Sequence, residues 1–586
     1  MSRKVKAVSS VVLLLRKDIF LDIIWKHLRL RRYELLALAL ITLAIVLRLI
    51  LIANSWPQTS SEEGTTGLEA MHIAYRGKFP IFMYGLDYLG ALEAYLGAIL
   101  FHLFGVSLFS LRLGMIIFFA FFLLCMYYLT RLLYSPQMAL VTLAVLSLGS
   151  RWVLVPEMIV VGGTVETLLF GALLLLLATW LSLSSGQEES LRKKWQRLSG
   201  FAAWGCCAGL GLWSHLLVAP FVLVSGVLLL LFCHREVRTW APLVLLAGLV
   251  IGLFPLIAYN VTALPGRDSL STFQKLYNNG SPTTPDPHFI QKQLSGTFLS
   301  GLPVATGMDT LCDVRDMPFF GATPPPIGCT LLQGGWSLGY LLLLTIATCM
   351  AVRGVWKLRK VHTTNMLNWP VEDRRLAILY IAQLMLLLSA AITIFLFAHS
   401  PNSASRPWST RYLIGLLVAT PAVLWPLWNG ISTRISTFPG TLRFKHFTAL
   451  FRYSILLLLI LLFATEMLLI TTEIPSIEAS NAQDKAITSD LLHLGVNHIY
   501  SGYWECDRFI FLTQEKIICG VVTADMSAGR TRYAAYYTIV HSDPKASYVF
   551  HQDSIYEKNF EKRIAQFNKR FQKIVLDGYV VYRPEN

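Results

Sequence analysis

Apolar runs of about twenty residues recur through this chain, and no other feature limits its fold as strongly. Roughly 20 consecutive apolar residues are needed to cross a bilayer as a helix. Eleven stretches meet or approach that length: 34–53, 108–130, 137–155, 164–183, 200–215, 216–233, 238–260, 337–354, 375–398, 412–430 and 452–472. The fifth and sixth are short and adjoin at His215, and read as one span they would reverse the parity of all that follows. Only 15% of the 586 residues are charged, against about 25% in soluble domains. The expectation is a polytopic α-helical membrane protein of about eleven transmembrane helices with a small C-terminal extracytoplasmic α/β domain.

Charge sets the orientation. Residues 1–33 hold nine Lys/Arg against two acids, 353–375 hold six against two, and 431–452 hold four against none. With eleven spans these segments fall on one side, which the positive-inside rule makes the cytoplasm of an inner (plasma) membrane protein. The net charge of +15 is then mainly a topology signal, because the basic residues are dispersed between spans and form no nucleic-acid-binding stripe. The predicted division is an interfacial amphipathic helix at 1–33, a transmembrane unit at 34–472 and an outward α/β unit at 473–586. Outward loops lie at 54–107 and 261–336. In the last unit FIFLTQEKIICGVV predicts a hairpin turning near Gln514–Lys516. RYAAYYTIV and EKNFEKRIAQFNKRF read as helices, and ASYVF and IVLDGYVVY as strands. Five of the nine cysteines lie in or beside spans. Cys312 with Cys329, and Cys506 with Cys519, lie in outward segments, where an oxidising compartment permits disulfides.

Arg48 falls near the outer end of the first span, where it must reach the interface or meet an acid. The following stretch, SEEGTTGLEAMHIAYRGKFPIFMYGLDYLGALEAYLGAILFHLFG from Ser61 to Gly105, is far longer than a connector requires. It carries Glu62 and Glu63, then His72 on a helical segment, Tyr84, Asp87, Tyr88 and Glu93. A carboxylate beside cations at the membrane boundary suits transfer from a lipid-phosphate-linked sugar. Phosphate leaves well once its charge is stabilised, while the acceptor hydroxyl needs a positioned base. One carboxylate with one or two Arg/Lys is enough for a single inverting displacement, and the two-carboxylate logic of glycoside hydrolysis is not required. No zinc spacing, Walker loop or nucleophile elbow occurs in the chain.

That stretch, followed by GGTVETLLFGALLLLL, GFAAWGCCAGLGLWSHLLVAPFVL, FPLIAYN, STRYLIGLL and YSGYWECDRFIFLTQEKII, resembles the GT-C superfamily of membrane glycosyltransferases. The likeness is to the branch of protein O-mannosyltransferases and the aminoarabinose transferase of lipid A. The resemblance implies an active site in the first outward loop and a polyprenyl-phosphate-linked sugar donor. The acceptor would be a glycan, lipid or protein. The family's loop typically begins Asp-Glu with Asp as base. Here Glu62-Glu63 stand in that place, so Glu62 takes the base role, with Glu63 beside it. Glu is one methylene longer, and a displacement of about an ångström can cost about a hundredfold in rate. Arg112 and Arg411 are the expected holders of lipid phosphate, where a guanidinium fork suits phosphate oxygens. Glu93 and Asp87 would position the acceptor or a divalent cation, although no cofactor is obligatory in the relatives. His72, Tyr84 and Tyr88 would line the substrate site. The plainer readings are interfacial anchors for the arginines, a helix face for His72 and a membrane-interface belt for the tyrosines.

Rival readings differ in what they require. A transporter or flippase calls for internal repeats and charged, broken helices at mid-membrane, and no clear repeat is present. An oligosaccharyltransferase of the resembled superfamily carries Trp-Trp-Asp, which this sequence lacks. A non-catalytic protein that kept the fold is the remaining alternative.

Overall fold

In a computed structural model of the chain, the described residues are 31–585 except 186–190, 281–286, 310–311, 313–325, 363–365, 367–368, 405–406, 430–440 and 565–569. The expected amphipathic helix at 1–33 lies almost wholly outside them. Each of the eleven apolar stretches is helical over most of its length, but the elements are less uniform than the runs suggest. Among the described residues eight helices are long and apolar enough to cross a membrane, and nine if one bent pair is a single span. The molecule is thus a multi-pass membrane protein with fewer qualifying spans than the sequence reading has.

The differences have local causes. The third run breaks at Leu148-Gly149-Ser150 into Pro136–Ser147 and Arg151–Met158, which lie at 87°. A break frees the last carbonyls of the first helix, which in lipid must find donors. Arg48 supplies them: it is fully buried, and its Nη1 donates to the Ser147 carbonyl at 2.9 Å. The turned segment brings Glu157 back to the same guanidinium, at 3.2 Å from Nε and 2.5 Å from Nη2. Arg48 therefore meets an acid and does not snorkel. The fifth and sixth runs form Leu191–Ser214 and then Leu216–Val218 with Ala219–Phe232. His215 separates them, its Nδ1 accepting from the Leu217 N–H at 3.0 Å.

The 261–336 loop is largely helical among its described residues. It holds helices at Ser269–Gly280 and Phe289–Gly296, and from Ile327 it already belongs to a 35-residue helix ending at Val361. At 1.5 Å per residue that helix is about 52 Å long, well beyond the hydrocarbon core. Cys312 and Cys329 are disulfide-bonded across this segment.

After Thr441–Thr471 the chain turns into Ile474–His493 and enters a five-stranded sheet. Its strands are β1 (His498–Ser501), β2 (Ile518–Val521), β3 (Ser547–His551), β4 (Phe571–Leu576) and β5 (Tyr579–Pro584), in the order β2-β1-β3-β5-β4. β1 runs parallel to β2 and β3, and the rest is antiparallel. The predicted hairpin at 514–516 is instead a helix–turn–strand. FIFL ends the helix Tyr503–Leu512, and Gln514 and Glu515 turn the chain with positive φ into β2. The misreading is physical: an apolar run ahead of a turn looks alike whether helical or extended. A disulfide between Cys506 and Cys519 fastens that helix to β2.

Candidate active site

The segment after the first span folds as a helix, Ser61–Arg76, because Ser60 caps it: its side chain accepts the Glu63 N–H, and two acids occupy the first turn. Acids there are favoured by the helix dipole. The helix is nearly encased. Gly64 and Gly67 make one face flat, and the helix Tyr503–Leu512 lies directly on it. A Cβ at Gly64 would stand 2.6 Å from the Asp507 carbonyl oxygen, and one at Gly67 2.6 Å from the Phe511 ring. The C-terminal unit is therefore part of the site's wall.

The adjacent carboxylates have different fates. Glu63 turns inward and takes two of the three Arg112 nitrogens, Nε at 2.8 Å and Nη2 at 2.7 Å, with both side chains 0% exposed. The Val160 N–H adds a longer contact to Glu63 Oε1 at 3.4 Å. Each charge is neutralised by the other, and neither group reaches solvent. Glu62 remains partly exposed. Arg411 Nη1 donates to its Oε2 at 3.2 Å, and Arg532 Nη2 donates to its Oε1 at 3.3 Å. These contacts are long for charge-assisted bonds, which run about 2.7–2.9 Å. The Tyr88 phenol belongs to the same group, near Arg411, Arg530, Arg532 and Tyr412, and burial is the main cause that raises its pKa.

The other expected residues are dispersed. His72 is not on an interfacial helix face but fully buried, with Nε2 3.0 Å from Glu515 Oε1 and Nδ1 2.8 Å from the Tyr84 hydroxyl. With a carboxylate at Nε2, that nitrogen carries the proton. Glu515 also takes Arg76 and the Tyr536 hydroxyl. Burial would raise the Glu515 pKa, but these donors, His72 first among them, hold it below the ordinary value. His72 and Tyr84 thus join the helix to the C-terminal unit. Glu93 accepts the N–H groups of Gly162 and Gly163, both at 2.9 Å. These residues have φ of 94° and 75°, which glycine allows at little cost. The Glu93 carboxyl also faces that of Glu166. Asp87 lies by the Tyr259 hydroxyl. Among the described residues no group of three His, Cys, Asp or Glu side chains could hold a metal ion.

Sequence reasoning missed Arg532 and Asp507, and it placed Glu69 on the helical segment without giving it a role. The first two come from the far end of the chain, and no local pattern marks them. Glu69, two helical turns beyond Glu62, is fully buried with no side-chain partner among the described residues; burial pushes its carboxyl well up, against the Tyr84 backbone N–H. Asp507 accepts the Thr65 hydroxyl at 2.5 Å, and burial pushes its pKa from 3.8 up to about 6. A carboxyl with a raised folded-state pKa holds its proton longer in the folded protein. Its contribution to stability is full below pH 3.8 and is lost as pH rises through about 6. Asp507→Asn is expected to remove that slope. Thermal unfolding of both proteins between pH 4 and 7 should show the variant's advantage growing with pH and levelling above about 6.

The segment Pro407–Ala419 is a 3₁₀ helix. Arg411 lies on it, and Leu416 and Leu417 line an apolar cavity of about 600 Å³, together with Trp336, Tyr340, Leu424 and Phe463. Five residues at about 2 Å each separate Arg411 from that lining by about 10 Å.

No protein-family model matches the chain, and neither does any curated protein. Solved structures of two membrane transferases are similar to it. ArnT from Cupriavidus metallidurans, bound to undecaprenyl phosphate, is similar over 93% of this chain and 97% of its own, at 10% identity and a TM-score of 0.43. The archaeal oligosaccharyltransferase AglB from Archaeoglobus fulgidus, in complex with an inhibitory peptide and a dolichol-phosphate, is similar over 94% of this chain and 74% of its own. Its identity is 13% and its TM-score 0.44. Likenesses this loose leave the activity to be argued from the residues.

Proposed function

We propose that the protein is a GT-C-type membrane glycosyltransferase that moves a hexosyl or pentosyl group from polyprenyl phosphate to an acceptor hydroxyl. One observation carries this reading. A solvent-reachable carboxylate, Glu62, meets Arg411 on a segment that continues into an apolar cavity. A charged headgroup and a greasy tail would thus have adjoining seats.

Glu62 takes the acceptor's proton as the new bond forms at the anomeric carbon. The bond from that carbon to the phosphate oxygen breaks on the opposite side, and its electron pair leaves with the phosphate. The configuration inverts. Arg411 stabilises the departing charge, so no general acid is needed. The base role falls to Glu62 alone. Glu63 and Arg112, both expected to touch substrate, act by fixing the helix start that aims Glu62, because their charges are spent on each other away from solvent. Glu93 fixes the Gly162–Gly163 turn. The two disulfides support an outward, oxidising location for the site.

The test uses purified protein in detergent, a panel of polyprenyl-phosphate sugars and an acceptor extract, with release of free polyprenyl phosphate as readout. Release from at least one donor is expected. No release from any of them would sink the transferase reading in favour of the non-catalytic or transport one.

A further inference from the structure

Arg532 has more donors than partners. Its side chain is 5% exposed. Nε donates to the Tyr503 hydroxyl at 2.9 Å and Nη2 reaches Glu62 at 3.3 Å, while the buried Nη1 has no hydrogen-bond partner among the described residues. A buried N–H left unmade is costly. On the other oxygen of the same carboxylate, Arg411 sits at 3.2 Å. Two guanidinium groups thus share one carboxylate at distances about half an ångström longer than those of the Glu63–Arg112 pair. The other acid close to Arg532 is Asp507, whose Oδ2 takes the Thr65 hydroxyl and whose buried Oδ1 has no hydrogen-bond partner among the described residues.

A purely structural role fits less well, because the segment is held in place without the Arg532 charge. Arg530 donates to the Gly85 carbonyl at 3.0 Å. Tyr533 packs edge-on against His72, and its hydroxyl takes Lys78. The Arg532 backbone itself lies close against Gly85. What remains is an inward-facing cationic fork beside a second one. An anion with at least two free oxygens, such as a phosphate diester or monoester headgroup, is the ligand chemistry that meets both.

Resting on the transferase reading above, we infer that Arg532 of the C-terminal unit is a second phosphate-binding residue of the donor site, which is complete only when that unit is docked on the first outward loop. A phosphate arriving between the two guanidinium groups draws them from Glu62. Both Glu62 oxygens now accept an arginine N–H, so a phosphate that draws the two guanidinium groups away also opens a Glu62 oxygen to the acceptor hydroxyl. The base is thereby kept in check until the donor is present.

The test measures binding, so it does not depend on turnover. Wild-type full-length protein, Arg532→Gln and Arg532→Lys are titrated in detergent with a short-chain polyprenyl phosphate and with the matching polyprenol. The Gln variant is expected to bind the phosphate about tenfold or more weakly, with polyprenol affinity unchanged. The Lys variant, which keeps the charge but not the fork, is expected to fall between. Unchanged phosphate binding, or equal weakening toward both lipids in the two variants, overturns the assignment. If the Gln variant does not fold, the Lys variant decides alone by the same comparison. Wild type that binds phosphate and alcohol alike would instead strike at the lipid-phosphate donor itself, which keeps the two failures apart.

Discussion

Glu62→Gln is expected to lower kcat by about two to four orders of magnitude, the range over which a positioned base contributes. The amide keeps the shape and loses the proton acceptor. It also removes the anion that Arg411 and Arg532 now share, so donor affinity should hold or improve while turnover collapses. That split between kcat and KM distinguishes a lost base from a lost binding contact. Glu62→Asp keeps the carboxylate but draws it back by about an ångström, and should retain turnover within about a hundredfold of wild type. Steady-state release of polyprenyl phosphate checks all three proteins. Equal turnover in Glu62→Gln and wild type would move the base elsewhere.

The second large effect is on stability. Arg112→Met leaves the Glu63 carboxylate buried with its principal partner gone, and breaking one side of a buried pair costs about 3–5 kcal/mol. The double variant Glu63→Leu/Arg112→Met removes both charges and should recover most of that loss, since a buried pair replaced by apolar groups is often neutral. Thermal unfolding in detergent reads the three proteins directly. A single variant as stable as wild type would show that the pair does not hold the helix start. Turnover in the double variant then reports whether aiming Glu62 needs the pair itself.

How much of this was legible in advance follows the range of each interaction. Ser60 before Glu62-Glu63 marks a helix start from a few neighbouring residues, and the helix begins there. The division of labour between Glu62 and Glu63 was not legible. Adjacent positions on a helix point about 100° apart, and which of them meets the core depends on where Arg112, 49 residues on, is packed. His72 shows the same limit. Its spacing fits an interfacial face, yet a turn from the C-terminal unit covers it with Glu515. Arg532 gave no signal, because a lone Arg in a loop acquires meaning only from what it faces.

The sequence by itself determined that the chain spans a membrane repeatedly and ends in an α/β unit. Burial of apolar runs in lipid and the alternation of strand residues are properties of short segments, written in composition and period. It also determined which helix bears the acids. Only the tertiary structure decided which acid is free and which arginine faces it, and that the C-terminal unit walls the site. Those outcomes rest on contacts between residues 49 to 470 positions apart, whose energies depend on distance and burial and leave no periodic mark along the chain.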